Sequence, residues 1–287
     1  MANTDKLVLG TVQFGINYGI NNTTGQVPLD EVCRILEIAS EAGIKTLDTS
    51  SAYGESERVL GEALKRSNKP FNIVSKYPKS DIGVRETFQK SLSLLGIDGL
   101  YGYLVHHFEF YQEHPELFDE MTALKQEGKI QKVGFSLYNT EQLQYLLDRK
   151  VKFDILQFPY NIFDKQFETY MPQLVEQGVE IHTRSAFLQG LFFRDTKTLP
   201  EKLKPLKKYL DYLHIYCQNR GLSVEQLALG YVLANPFVKG ALIGVDNHEQ
   251  LESNLKVASV ELTKEDIEYI HNIDIIEDWL LNPVNWN

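Results

Sequence analysis

Eight short β-rich runs alternate with longer segments of helical period, and this beat constrains the chain more than any other feature. It begins with LVLGTV at 7–12, a helix pattern over 29–42 and KTLDTS at 45–50. A helix over 56–66 leads to FNIVSK (71–76), one over 84–95 to YGYLVH (101–106), one over 115–127 to QKVGFS (131–136), and one over 140–149 to FDILQF (153–158). A helix near 165–177 precedes VEIHTR (179–184), a helical stretch over 201–234 precedes VKGALIG (238–244), and a last helix covers 247–257. Short apolar runs bounded by turn residues and separated by helices read as buried parallel strands joined by crossovers. Helices stopping at Gly43, Gly128 and Gly178 predict left-handed C-caps ahead of such strands.

Two architectures share this alternation, a closed (α/β)8 TIM barrel and an open doubly wound sheet. The length, 287 residues, suits a barrel as one unit, and no Pro/Ser-rich linker divides it. We therefore expect a single domain over 1–287, with the residues after Asn272 as a C-terminal extension. Hydrophobic residues at 43% and charged residues at 24% provide for a sizeable core under a charged surface.

The formal net charge of -10, with no Lys/Arg run interleaved with aromatics, argues against a nucleic-acid partner. Cys33 and Cys217 lie far apart in apolar helical patterns, which suits reduced core thiols. Residues 1–10 lack the basic and apolar regions of a signal peptide, and no run of 18 apolar residues occurs, so the expectation is a cytoplasmic protein without a membrane partner. His106, His107 and Glu109 cluster in sequence without any metal-ligand spacing such as HExxH, and no metal is expected.

The motif DTSSAYGESE, Asp48 to Glu57, ends a buried strand in an acid, passes through small residues to Tyr53, and opens a helix with Ser56 as expected N-cap. In a barrel, strand C-termini face the site, so Asp48 and Tyr53 point into the mouth. Lys76, His106 and Ser136 close later strands in the same phase. Reducing a carbonyl leaves charge on oxygen and calls for a proton donor; a phenol, with a reference pKa of about 10, needs a neighbouring cation to serve at neutral pH. Lys76 supplies that cation, Asp48 holds it charged, and His106 donates a hydrogen bond to the carbonyl oxygen. A Schiff-base role for Lys76 in a lyase leaves Asp48 and Tyr53 unexplained.

The order Asp, Tyr, Lys, His and the local strings resemble the aldo-keto reductase superfamily over Leu7 to about Asn254. LGTVQFG (9–15) is similar to its first strand and glycine turn, DTSxxYGxSE to its signature around the catalytic Asp and Tyr, and the SK at 75–76 and YLVHH to its Lys and His strands. The resemblance implies an (α/β)8 barrel, Tyr53 as acid/base, and NADPH bound without a Rossmann domain, in keeping with the absence of GxGxxG. It implies cofactor contacts from Thr11, Asp48, Ser136, Gln157, Arg184, Ser185, Leu188, Gly190, Gly244, Gln250 and Asn254. Leu137 replaces the Asn that often follows the Ser, and Arg184 stands where many relatives stack an aromatic on the nicotinamide. Around Gly244, Val245, Asp246 and Gln250 the cations that pair the 2'-phosphate in NADPH-specific relatives are missing, so NADH use is also expected.

Phe14, Tyr18, His107 and Phe108 flank the strand ends as expected substrate-pocket residues. The loop after His106 is short, which suggests an open mouth and a small polar aldehyde, ketone or sugar-like carbonyl. The tail, with Trp279 and Trp286, is expected over that mouth. The rival reading is a cofactor-binding regulatory module of the same fold with little turnover, because fold does not fix function.

Overall fold

The computed structural model describes residues 3–20 and 22–286. Eight parallel strands close into a barrel in sequence order: β1 (Leu7–Gly10), β2 (Thr46–Asp48), β3 (Asn72–Tyr77), β4 (Leu100–Val105), β5 (Ile130–Ser136), β6 (Ile155–Pro159), β7 (Glu180–Arg184) and β8 (Gly240–Gly244). The ring is sealed where β1 pairs with both β2 and β8, so that Gly10 lies opposite Asp48 on one side and Gly244 on the other. This closure settles the choice between barrel and open sheet. Crossover helices pack outside, among them Leu29–Glu41, Ser56–Ser67, Val84–Leu95, Glu116–Gln126 and Thr140–Asp148, joined by His248–Val257 after the last strand.

The period-2 alternation of a strand sorts side chains between barrel and helix layer. In β3, Ser75 reaches outward to Glu57 of the Ser56–Ser67 helix, whereas Lys76 bonds Asp48 of β2. Ile73 and Tyr77 join the main core between sheet and helices, while Val74 belongs to a separate small cluster with Leu104, Ile155 and Tyr101. Near the N-terminal ends of the strands, Glu180 accepts hydrogen bonds from Lys132 at 2.5 Å and Tyr101 at 2.9 Å, and pairs with His182 at 2.9 Å.

Gly43, Gly128 and Gly178 take φ of 84°, 75° and 82°, the left-handed conformation expected after their helices. Three expectations need correction. The first strand ends at Gly10 because the chain turns at Thr11 into a single helical turn, Val12–Gly15. The helix expected over 165–177 is regular only at Met171–Glu176, where Pro172 in the first turn marks the start. The stretch 201–234 is a 3-10 segment, Glu201–Leu206, containing Pro205, followed by helices Lys207–Arg220 and Val224–Ala234. Gly221 at φ 65° breaks it, and Ser223 restarts it through a capping box with Gln226.

Beyond the barrel, Thr263 caps a further helix, Lys264–His271, through a capping box with Asp266. The tail then continues as two short 3-10 turns, Asp278–Leu281 and Pro283–Trp286. Among the described residues no helix is long and apolar enough to cross a membrane.

Candidate active site

Asp48, the last residue of β2, is 2% exposed, and both carboxylate oxygens are engaged. Oδ1 accepts from Lys76 Nζ, and Oδ2 accepts from Gln157 Nε2 at 2.8 Å. Lys76 is wholly buried and also donates to the carbonyl of Thr49 at 2.9 Å. A buried ammonium is tolerable only with such partners. Its Nζ lies 5.1 Å from the centroid of the Tyr53 ring. Burial opposes the charge on Lys76, but the attraction of Asp48 prevails and holds the ammonium above its ordinary pKa.

Tyr53 is carried on a loop pinned from below. Ser56 is the first helical residue rather than the N-cap, which is Glu55. Its hydroxyl donates to the Thr11 carbonyl at 2.8 Å and lies 2.8 Å from the Thr11 and 3.1 Å from the Thr49 hydroxyls. Gly15 lets the loop after β1 approach: a Cβ there would sit 1.8 Å from the Tyr53 carbonyl oxygen. Burial pushes the Tyr53 phenol upward, Lys76 pulls it down and Asp48 pushes it up, leaving it above its usual value. Without Lys76 the same hydroxyl would be a still weaker acid.

His106 follows β4, its backbone N–H donating to the Tyr77 carbonyl at 3.0 Å. Its ring meets the Tyr53 ring edge-on, centroids 5.6 Å apart at 84°, and Nδ1 lies 3.1 Å from Ser50 Oγ. Burial, with the charges of Lys76, His107 and Arg184, holds the imidazole well below its usual pKa and keeps it neutral.

Asp48 and Tyr53 open onto a cleft of about 530 Å³ that runs past Gln157, Arg184 and Gly190 to Gly244, Gln250 and Asn254. The loop after β7 borders it in a strained conformation, with φ of 65° at Ser185, 46° at Leu188, 51° at Gln189 and 89° at Gly190. Strain of this kind persists where surroundings enforce it, often around ligands. Gln13 lines the same cleft, and its Oε1 is buried without a hydrogen-bond partner among the described residues. Of the described Lys and Arg residues only Arg184 lines the cleft, against Asp48, Glu225 and Asp246.

The description "Aldo/keto reductase family" belongs to a family model that matches residues 6–275. The chain belongs to the aldo/keto reductase family. L-galactose dehydrogenase of Arabidopsis thaliana is 28% identical over 97% of this chain and 92% of its own length. The NADH-specific methylglyoxal reductase of Escherichia coli (strain K12) is 26% identical over 81% of this chain and 83% of its own. Among solved structures, the holo form of an aldo-keto reductase from Bacillus halodurans superposes with a TM-score of 0.72 at 23% identity, covering 93% of this chain and 91% of that one, a likeness of fold. As an aldo-keto reductase, the chain is an NAD(P)-dependent oxidoreductase acting on carbonyl compounds.

The expected residues of this aldo-keto reductase fall into two groups. Asp48, Tyr53, Lys76 and His106 come together as described, and Thr11, Gln157, Arg184, Ser185, Gly190, Gly244, Gln250, Asn254 and Tyr18 line the cleft. Ser136 lies opposite Gln157 in the β5–β6 register but is 3% exposed and outside the cleft lining, and Leu188 is a core residue. Phe14 and Phe108 are also corrections: Phe14 is wholly buried in the main core, and Phe108 packs among Tyr111, Phe135 and Tyr145. Apolar residues beside a strand end fill the helix layer before they face solvent. His107 is exposed and contacts the His106 ring at 4.9 Å.

Arg184 stacks on Tyr138 at 4.3 Å and donates to the Leu137 carbonyl at 3.0 Å. The tail enters the cleft through Asn282, Pro283 and Val284, not through its tryptophans: Trp279 is half exposed and Trp286 donates to the Leu280 carbonyl. Gln13, Asn22, Tyr138, Phe187 and Phe193 are further cleft residues that sequence reading missed. They sit in loops or in short helices of one or two turns, too short for a periodicity that marks a facing side.

Proposed function

We propose that this aldo-keto reductase reduces a small polar aldehyde, ketone or sugar-like carbonyl, or oxidises the corresponding alcohol, with Tyr53 as the proton donor. The observation that carries this reading is the buried Asp48–Lys76 pair set beneath the Tyr53 ring at the edge of the cleft. Lys76 favours the phenolate left when Tyr53 gives its proton to the carbonyl oxygen, and Asp48 keeps Lys76 charged while it does so. His106, neutral and edge-on to Tyr53, orients that oxygen.

The cleft residues fit a nicotinamide dinucleotide. Gln13 Oε1 offers an unmet acceptor, and Ser185 to Gly190 bring strained backbone to the wall. Gln157, Arg184, Ser185 and Gly190 would hold its nicotinamide and pyrophosphate parts, and Gly244, Gln250 and Asn254 its adenosine. When bound, that cofactor supplies the reducing equivalent to the carbonyl carbon. NADPH is the usual partner in the family, but the lining offers its extra phosphate no Lys or Arg besides Arg184 among the described residues, so NADH should bind at least comparably.

The loop expected after His106 is instead largely a helix, Phe108–Glu113, so small polar substrates are suggested chiefly by the relatives, two of which are named for a sugar and for methylglyoxal. The test is oxidation of NADH and NADPH against aldoses, keto sugars and short aldehydes, with Tyr53→Phe beside wild type. Turnover should fall by at least about a hundredfold in the mutant, the scale of a lost general acid, with cofactor binding retained. Equal turnover in both proteins would remove Tyr53 from the reaction.

A further inference from the structure

Ser50 carries a buried hydroxyl with one hydrogen to place. It lies two residues after Asp48 and is wholly enclosed. Its Oγ accepts the backbone N–H of Ala52 at 3.1 Å and stands 3.1 Å from Nδ1 of His106. Among the described residues this hydroxyl makes no other hydrogen bond. Leaving a buried donor unmet costs on the order of 1–3 kcal/mol, so the hydrogen is directed at Nδ1. A ring nitrogen that accepts carries no proton of its own, and a neutral imidazole then carries its single proton on Nε2.

We propose that Ser50 is a positioning residue that fixes His106 in the Nε2–H tautomer, so that the ring offers a donor and not a lone pair to a substrate oxygen beside Tyr53. The inference rests on the reading of His106 as the group that orients the carbonyl. Nε2 makes no hydrogen bond among the described residues, which leaves it free for that contact. The opposite tautomer would aim a lone pair at an oxygen gaining negative charge, reversing the sign of the interaction. The anchoring of the His106 backbone to Tyr77 and the edge-on contact with Tyr53 leave the proton's position on the ring as the remaining variable, and Ser50 sets it.

The test is nitrogen-15 correlation spectroscopy of the full chain labelled on its seven histidines, with His106→Gln assigning the signal. Wild type should show His106 protonated on Nε2 and bare on Nδ1. Ser50→Ala should give a mixture of tautomers and lower kcat about tenfold, the equivalent of about 1.4 kcal/mol, with cofactor Kd unchanged; Ser50→Thr, which keeps the hydroxyl, should restore both. A wild-type ring protonated on Nδ1, or a tautomer that Ser50→Ala does not alter, overturns the proposal, and the wild-type spectrum decides even where a variant fails to fold. An Nε2–H ring in a wild-type protein that turns over no carbonyl would uphold the tautomer assignment and count against the proposed function alone.

Discussion

The Gln189 side-chain amide donates to the Tyr18 hydroxyl at 2.8 Å, joining the loop after β1 to the loop after β7 from 171 residues away. Both residues line the cleft, and Gln189 holds a left-handed backbone at φ 51°. A long molecule lying in the cleft would have this bridge at its side, and leaving would require the two loops to part.

Removing the bridge should therefore act on release more than on folding. In Tyr18→Phe the acceptor is lost but the ring remains. Unfolding stability should change by no more than about 1 kcal/mol, the net worth of one hydrogen bond, while the cofactor off-rate measured by stopped-flow fluorescence rises severalfold. An unchanged off-rate would mean that the bridge plays no part in retention.

Much of the barrel and of the candidate site is legible in the sequence for a physical reason. Buried strands and amphipathic helices impose periodic patterns, and strand ends in a barrel share one face, so Asp48, Lys76 and His106 declare themselves by position. What the pattern does not carry is the direction of side chains in loops. Phe14 and Phe108 read as pocket residues and are core residues, because an aromatic beside a strand end can turn to either side. Ser56 reads as a cap, yet its hydroxyl is committed to Thr11, a contact made 45 residues away that no local signal announces. Tyr138 beneath Arg184 is illegible for the same reason, since it is defined by two strand ends meeting across the sheet.

Acid sensitivity should come in part from the opposite end of the barrel. Burial alone would raise the Glu180 carboxyl, but His182, Lys132 and Tyr101 overcome it and bring its pKa down to about 2. The unfolded carboxyl titrates near 4.3. A depressed folded pKa contributes stability that is complete above the unfolded value and lost as pH falls toward the folded one. The contribution is on the order of 3 kcal/mol, disappearing between about pH 4.5 and pH 2. Urea unfolding followed across that window should show the slope in wild type and a flatter one in Glu180→Gln.

Cofactor preference should be reversible at two positions. Gln250, in the first turn of the His248–Val257 helix, bonds the backbone N–H of Asp246 at 2.8 Å and its carboxylate at 3.3 Å, and both residues line the cleft. Asp246 is further held by the Asn22 side-chain amide at 3.0 Å. A dianionic 2'-phosphate placed there meets a carboxylate and, apart from Arg184, no Lys or Arg among the described lining residues, whereas a 2'-hydroxyl has acceptors at hand. Wild type should bind NADH with a Kd within about tenfold of that for NADPH, a difference under about 1.4 kcal/mol. The double variant Asp246→Asn, Gln250→Arg removes the negative charge and adds a planar donor suited to phosphate. Fluorescence titration should then show NADPH binding at least about tenfold tighter than in wild type, with NADH affinity little changed. Equal gains for both cofactors would place the substituted residues away from the 2' position, and a wild-type preference for NADPH greater than tenfold would show that some other group already receives the phosphate.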